Sequence, residues 1–145
     1  ESLGEVVVKN GASLVLVSDY AHHPVEVHAT ISAAKERWPR HRLLAVMQPH
    51  QAQRFHAYRN QFASCLDLAD EVVLLDVYRA RDPESLDADV RELIPELQQR
   101  NPGRCLTHFP DSNSVIEYLH THVDDGTVVL GLGAGDIHDI LCRLR

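Results

Sequence analysis

The chain has 145 residues, 44% hydrophobic and 24% charged, which suits one globular domain able to bury roughly 70% of its unfolded surface. A formal net charge of −7, with 14 Lys and Arg and no basic run, speaks against a nucleic-acid surface. No apolar run approaches the ~20 residues that a membrane span needs, and no signal peptide is predicted.

Taken in order, the elements begin with two short β-prone runs, Glu5 to Val8 and Ser13 to Val17, flanking the hairpin signal Asn10-Gly11. Pro24 suits the first turn of a helix, and Val27, Ile31, Ala34 and Trp38 recur at helical spacing before Pro39 stops it. Leu43 to Met47 is a wholly apolar run, as a parallel strand covered on both faces should be. Phe55, Tyr58, Phe62, Cys65, Leu66 and Ala69 predict a second helix from Gln51 to Ala69, and Glu71 to Leu75 the next strand.

A third helix is predicted on Leu86, Val90, Leu93, Ile94 and Leu97, with Pro95 kinking or splitting it. Arg104 to His108 reads as a weaker strand, Asp111 to Val123 as a helix, Thr127 to Leu130 as the last strand, and the chain closes in a helix through Leu144. Strict alternation after the opening hairpin predicts a three-layer α/β domain. Its sheet is mainly parallel, with an antiparallel N-terminal hairpin element and right-handed crossovers. The domain is predicted to occupy residues 1–145 without internal linkers or repeats.

Three cysteines, Cys65, Cys105 and Cys142, form no C-x-x-C pair and predict reduced, buried thiols in a cytoplasmic setting. Glu1 in place of Met predicts an excised domain or a processed product. The ten histidines are scattered, and His22, His23, Glu26 and His28 lack the partners a zinc site needs, so no metal site is predicted. His120 and His122 are two apart, cannot share a helix face, and read as surface residues. The acidic stretch Asp82 to Asp89 reads as a solvated loop and helix start.

Chemistry concentrates where strands end. Asp19-Tyr20-Ala21-His22-His23, Gln48-Pro49-His50, Asp76-Val77-Tyr78 and Gly131 to Asp136 each follow a strand, and the carboxyl ends of parallel strands share one edge. Arg54, one helical turn beyond His50, can face the same cleft and with it hold a carboxylate or phosphate, or both can be solvated. Gly131-x-Gly133-x-Gly135 lacks the spacing of a dinucleotide fingerprint. It reads either as a backbone that approaches a ligand or as a tight turn. His23 admits a plainer role as a helix cap. Nothing reads as an activated Ser or Cys nucleophile.

In order and separation these four segments resemble the C-terminal domain of the Mur ligases of peptidoglycan synthesis. The Asp19 to Pro24 version of the first motif and the intact Gln48-Pro49-His50 point to the branch that joins L-alanine to UDP-N-acetylmuramate. The resemblance implies a Rossmann-like domain behind a UDP-binding domain and a central ATPase domain. It also implies an ATP- and Mg2+-dependent amide-forming reaction through an acyl phosphate. On the family pattern Asp19 would reach the ATP, at its ribose. Tyr20, His22, His50 and Arg54 would line the amino-acid pocket, with Arg54 drawing the alanine carboxylate, and Gly133, Ala134 and Gly135 would bring backbone against the substrate.

Three departures stand out. Ser18 replaces the first of two acids, and Gln51-Ala52-Gln53-Arg54 stands where the family has Arg-Tyr-Thr-Arg. The segment Pro-Ile-x-Gly is also missing after Tyr78. A neutral amide for one basic group is expected to weaken carboxylate binding by about 1.5–3 kcal/mol, roughly ten- to a hundredfold. Neither Lys9 nor Lys35 lies in a phosphate-binding G-x-x-x-x-G-K-[ST] loop, so the chain alone is expected to be inert. The alternatives left open are a related UDP-N-acetylmuramate peptide ligase, a divergent binding or regulatory module without ligase activity, and a free-standing nucleotide- or phosphate-binding protein of the same fold.

Overall fold

The computed structural model describes residues 1–83 and 85–145. In chain order it contains β1 (Ser2–Val7), β2 (Ser13–Asp19), α1 (Pro24–Arg37), β3 (Arg42–Met47), α2 (Ala52–Cys65) and β4 (Glu71–Leu75). A 3-10 turn at Val90–Leu93 then runs into α3 (Ile94–Arg100), followed by β5 (Cys105–Phe109), α4 (Ser112–Thr121), β6 (Thr127–Leu132) and α5 (Ile137–Cys142). Among the described residues the strands form one six-stranded sheet in the order β1-β2-β6-β3-β4-β5. Only the β1–β2 pair is antiparallel among the strand pairs. The predicted α/β architecture is therefore the observed one.

Local chemistry sets each boundary. Gly11 adopts φ +90, and its N–H bonds to Val8 O at 2.8 Å, which closes the hairpin. His23 caps α1: its Nδ1 accepts the Val25 N–H at 3.3 Å, while the Glu26 carboxylate accepts the N–H groups of His22 and His23, each at 3.2 Å. Pro24 sits where its missing N–H has no partner to lose. The predicted helix on Leu86 begins only at Val90, as the 3-10 turn, because Pro95 confines regular α-helix to the residues from Ile94 onward. Asp89 accepts the Arg91 N–H at 2.9 Å and so caps that turn. Glu84, inside the acidic stretch, lies outside the described residues.

The central strands β3, β4 and β6 are buried along nearly their whole length, and their runs are accordingly apolar throughout. β2 alternates instead: Leu14 and Leu16 are fully buried while Val15 and Val17 are half-buried. α1, α2, the 3-10 turn and α3 pack on one face, around Val27, Ile31, Phe55, Phe62, Leu93 and Leu97. α4 and α5 cover the other, with Val115, Leu119, Ile137, Ile140 and Leu141. Each fully buried Leu, Ile or Val contributes about 1.5–3 kcal/mol against the exposed state.

Arg104, 8% exposed, ties two helix ends together: Nη1 donates to Leu66 O at 2.8 Å and Nη2 to Leu97 O at 3.3 Å. Of the thiols expected to be buried, only Cys65 is; Cys142 is half-buried and Cys105 exposed, because β5 is an edge strand. His120 is half-buried rather than on the surface. No helix among the described residues is long and apolar enough to cross a membrane.

The topology places the site. The connections leaving β2 and β3 run onto one face, whereas β6, lying between those two strands, sends α5 onto the other. Chain segments leaving adjacent strands in opposite directions open crevices at the carboxyl edge on both sides of β6.

Candidate functional site

The loop after β6 is held between its two neighbours. Gly133 N–H donates to Asp19 O at 3.2 Å on the β2 side, and on the β3 side Gln48 N–H donates to Leu132 O at 3.0 Å. The Gln48 Oε1 then accepts the Asp136 N–H at 2.9 Å, so a buried amide pins the far end of the loop. The glycines there make room for protein, a role the sequence did not disclose. A Cβ on Gly133 would lie 2.8 Å from Gln48 O, and one on Gly135 would lie 2.6 Å from the Tyr78 ring and 2.7 Å from Gln48 Oε1. Gly131 likewise lets α5 close onto β6, where a Cβ would meet Ile137 at 2.5 Å. Ala134, half-buried, lies at the exposed crest between them.

On the β2 side a crevice of about 410 Å³ is lined by Ser18, Asp19, Tyr20, Gly133, Gly135 and His138, with Glu1 at its rim. One Asp19 oxygen accepts the Ala21 N–H at 2.8 Å, which turns the chain toward the histidines. Its second oxygen has no partner among the described residues. Ser18 Oγ and His138 Nδ1 lie 3.1 Å apart across the crevice floor; His138 is a lining residue that sequence reasoning missed, because helical periodicity alone gives α5 no functional face.

On the β3 side the rings form a row. Tyr20 meets His22 edge-on at 5.7 Å, His22 meets His50 at 5.8 Å, and His50 stacks on Tyr78 at 5.7 Å with 14° between planes. The backbone fixes the last pair: Tyr78 N–H donates to Pro49 O and Gln51 N–H to Tyr78 O, both at 2.7 Å. Asp76, from the same loop as Tyr78, does not join. It pairs with His108 at 2.6 Å and borders a separate cleft with Arg79 and Asp89.

Adjacent histidines part company here. His22 joins the row, its Nδ1 2.9 Å from Tyr20 O, whereas His23 caps α1 and sets its ring against Tyr58 at 4.6 Å. His23 thereby borders a second groove of about 510 Å³ between α1 and α2.

α2 starts from Gln51, held at φ 66. The Gln51 side chain caps nothing; the Asp82 carboxylate caps the helix from across the site by accepting the Ala52 N–H at 2.5 Å. Asp82 thus has a structural partner where the sequence suggested only a solvated loop. Arg54, half-buried on the first turn, makes no ion pair among the described residues. Its charge is felt at His50, whose pKa falls below the ordinary 6.5, first through burial, then through Arg54 and His22, with Asp82 opposing. His50 Nδ1 is buried without a hydrogen-bond partner among the described residues. No group of three or more His, Cys, Asp and Glu among the described residues is arranged to hold a metal ion.

Together these segments set a row of four rings beside a guanidinium without an ion pair among the described residues, with a carboxylate in the adjoining crevice. Residues 4–135 match the family described as Mur ligase, glutamate ligase domain. The chain is 36% identical over 127 residues to UDP-N-acetylmuramate–L-alanine ligase of Caldanaerobacter subterraneus subsp. tengcongensis, covering 88% of this chain and 27% of that protein. Against the ligase of that name from Trichlorobacter lovleyi it is 38% identical over 129 residues, 89% of this chain and 28% of the relative. Among solved structures, UDP-N-acetylmuramate-alanine ligase of Thermotoga maritima superposes with a TM-score of 0.70 at 27% identity, over 90% of this chain and 26% of that one. The chain thus spans little more than a quarter of the length of these relatives.

Proposed function

The chain belongs to the Mur ligase family, as its glutamate ligase domain, and from that premise we propose that it closes the active site of a longer ligase joining L-alanine to UDP-N-acetylmuramate. The observation that carries this reading is the Tyr20–His22–His50–Tyr78 row with Arg54, which has no ion pair among the described residues, close enough for its charge to act on His50. Its support from relatives is that the two proteins named above bear the alanine ligase name.

In this reading residues 1–145 are one domain, and the UDP-binding and ATPase domains precede it in the same protein. Arg54 draws the alanine carboxylate as a fork donor, and Tyr20 and His22 wall the pocket. Asp19, with one oxygen free, accepts a ribose hydroxyl of ATP across the β2–β6 crevice. Gly133, Ala134 and Gly135 set backbone against the small substrate. The Mg2+ that accompanies ATP would be held mainly by the ATPase domain and would offset charge on the transferring phosphoryl group. The nucleotide-sugar carboxylate becomes an acyl phosphate, the amine attacks, and phosphate leaves. This domain's share is positioning and exclusion of water. A reaction fed by ATP and a nucleotide sugar, with three free thiols in the chain, fits a cytoplasmic setting and peptidoglycan synthesis.

Gln51 favours one other reading, a domain that keeps the pocket but has lost ligation, because a neutral amide stands at the mouth where the resemblance has a basic group. The test is phosphate release by the longer protein with ATP, Mg2+ and UDP-N-acetylmuramate, comparing L-alanine with glycine, L-serine and no amino acid. Release that depends on L-alanine supports the ligase, and release with none of them sinks it. Residues 1–145 alone are expected to release nothing.

A further inference from the structure

We propose that His50 is the base that takes the proton from the attacking nitrogen once the new C–N bond has formed, an inference that rests on the ligase reading above. Between a free ammonium and an amide the nitrogen sheds two protons. The first leaves to solvent before attack. The second leaves after the nitrogen has bonded to the acyl carbon, when the tetrahedral intermediate carries a positive nitrogen and is strongly acidic. Collapse then breaks the carbon–oxygen bond to phosphate, whose oxygen keeps the electron pair. The second proton needs a neutral base, fixed in the pocket and with a free lone pair.

Of the groups in the row, His50 is the one stacked and held from two sides with a free ring nitrogen. Arg54 is permanently charged. His22 donates its Nδ1–H to Tyr20 O at 2.9 Å, with Glu26 at 3.8 Å, and so keeps a lone pair at Nε2. It meets its ring neighbours only edge-on, however, and lies in the loop before α1, and His23 is spent on the α1 cap. The His50 ring is clamped, stacked on Tyr78 and edge-on to His22, and neither ring nitrogen has a hydrogen-bond partner among the described residues. Nδ1 is the buried one, which leaves Nε2 open to an incoming substrate. The charged groups around it are His22 from the loop before α1, Arg54 from α2 and Asp82 from the loop after β4. Burial first, then the Arg54 guanidinium and the His22 ring, outweigh Asp82, so the imidazole stays neutral to a lower pH than usual and is ready to accept.

The experiment uses the longer protein with ATP, Mg2+, UDP-N-acetylmuramate and L-alanine, with kcat and KM followed between about pH 5 and 9. Wild type should lose kcat on acidification below the ordinary histidine value. His50→Gln should lose kcat by about 10²–10⁴-fold, lack that acid limb, and keep KM for alanine within a few-fold. Hydroxylamine, a nucleophile that needs no such help, should still trap the acyl phosphate as hydroxamate in the variant, which also shows that it is folded. Added imidazole should restore part of the rate to His50→Ala. Retention of the acid limb in His50→Gln, a loss confined to KM, or loss of hydroxamate formation overturns the inference while the ligase stands. A wild-type protein without alanine-dependent phosphate release overturns the ligase reading and this role with it.

Discussion

Gln51 combines two local costs: an L-residue at φ 66 and, in the proposed ligase reading, a neutral amide where the family resemblance has a basic residue. In the longer protein Gln51→Arg should lower KM for L-alanine by roughly ten- to a hundredfold, the return of one charge-assisted hydrogen bond of about 1.5–3 kcal/mol. An unchanged KM in the phosphate-release assay would mean that this side chain does not face the substrate. Gly135 makes the complementary point. Because a Cβ there would sit 2.6 Å from Tyr78, Gly135→Ala should destabilise the domain by about 1–3 kcal/mol in urea titrations and loosen the ring that clamps His50. A variant as stable as the parent would show that Tyr78 gives way freely. Neither residue's role was legible beforehand, since a positive φ on Gln and a glycine packed on a ring arise from neighbours far away in sequence.

At the scale of elements, caps do much of the placing. Glu26 is held below the ordinary carboxylate pKa of 4.5 mainly by the His23 and His22 backbone N–H groups, burial working against them. A carboxyl depressed in the folded state contributes stability above its unfolded pKa and loses it as pH falls through the folded value. Wild type should therefore exceed Glu26→Gln in urea midpoint near neutrality, and the gap should close as pH falls below about 4.5. A gap independent of pH would assign the effect to packing. The start of α1 was readable in the sequence, because Pro24 and the apolar spacing from Val27 to Ala34 are local signals. The start of α2 was read to within one residue, at Gln51 for Ala52, but its capping partner was not, since that is Asp82, thirty residues downstream of Ala52. The 3-10 turn also went unread, since Leu86 continues an apolar spacing that Pro95 and the Asp89 cap cut short.

For the molecule as a whole, α2 and α3 are joined to the β4–β5 side of the sheet through Arg104. Burial lowers its pKa, and its Nε has no hydrogen-bond partner among the described residues. Its two donated bonds still satisfy carbonyls that helix ends leave open. Arg104→Met should cost about 1–3 kcal/mol and lower the thermal midpoint of residues 1–145 while leaving a single cooperative transition. An unaltered midpoint would show that desolvation of the guanidinium cancels its bonds.

The sequence alone determined the class of the fold and the edge on which the site lies. Apolar runs of strand length and residues at helical spacing are local, and parallel strands must end together. It also singled out the segments after β2 and β3, with Arg54 one helical turn beyond His50, as candidates, while the roles of Asp19, Tyr20, His22, His50 and Arg54 came from the family resemblance. Tertiary structure decided how they are used. It sorted His22 into the ring row and His23 into a cap, sent Asp76 to His108 while keeping Tyr78, and set the glycines against Gln48 and Tyr78. It also inserted β6 between β2 and β3, opening a crevice on each side. Those outcomes depend on which strands become neighbours and which groups meet across them, contacts between residues remote in the chain that no local pattern encodes.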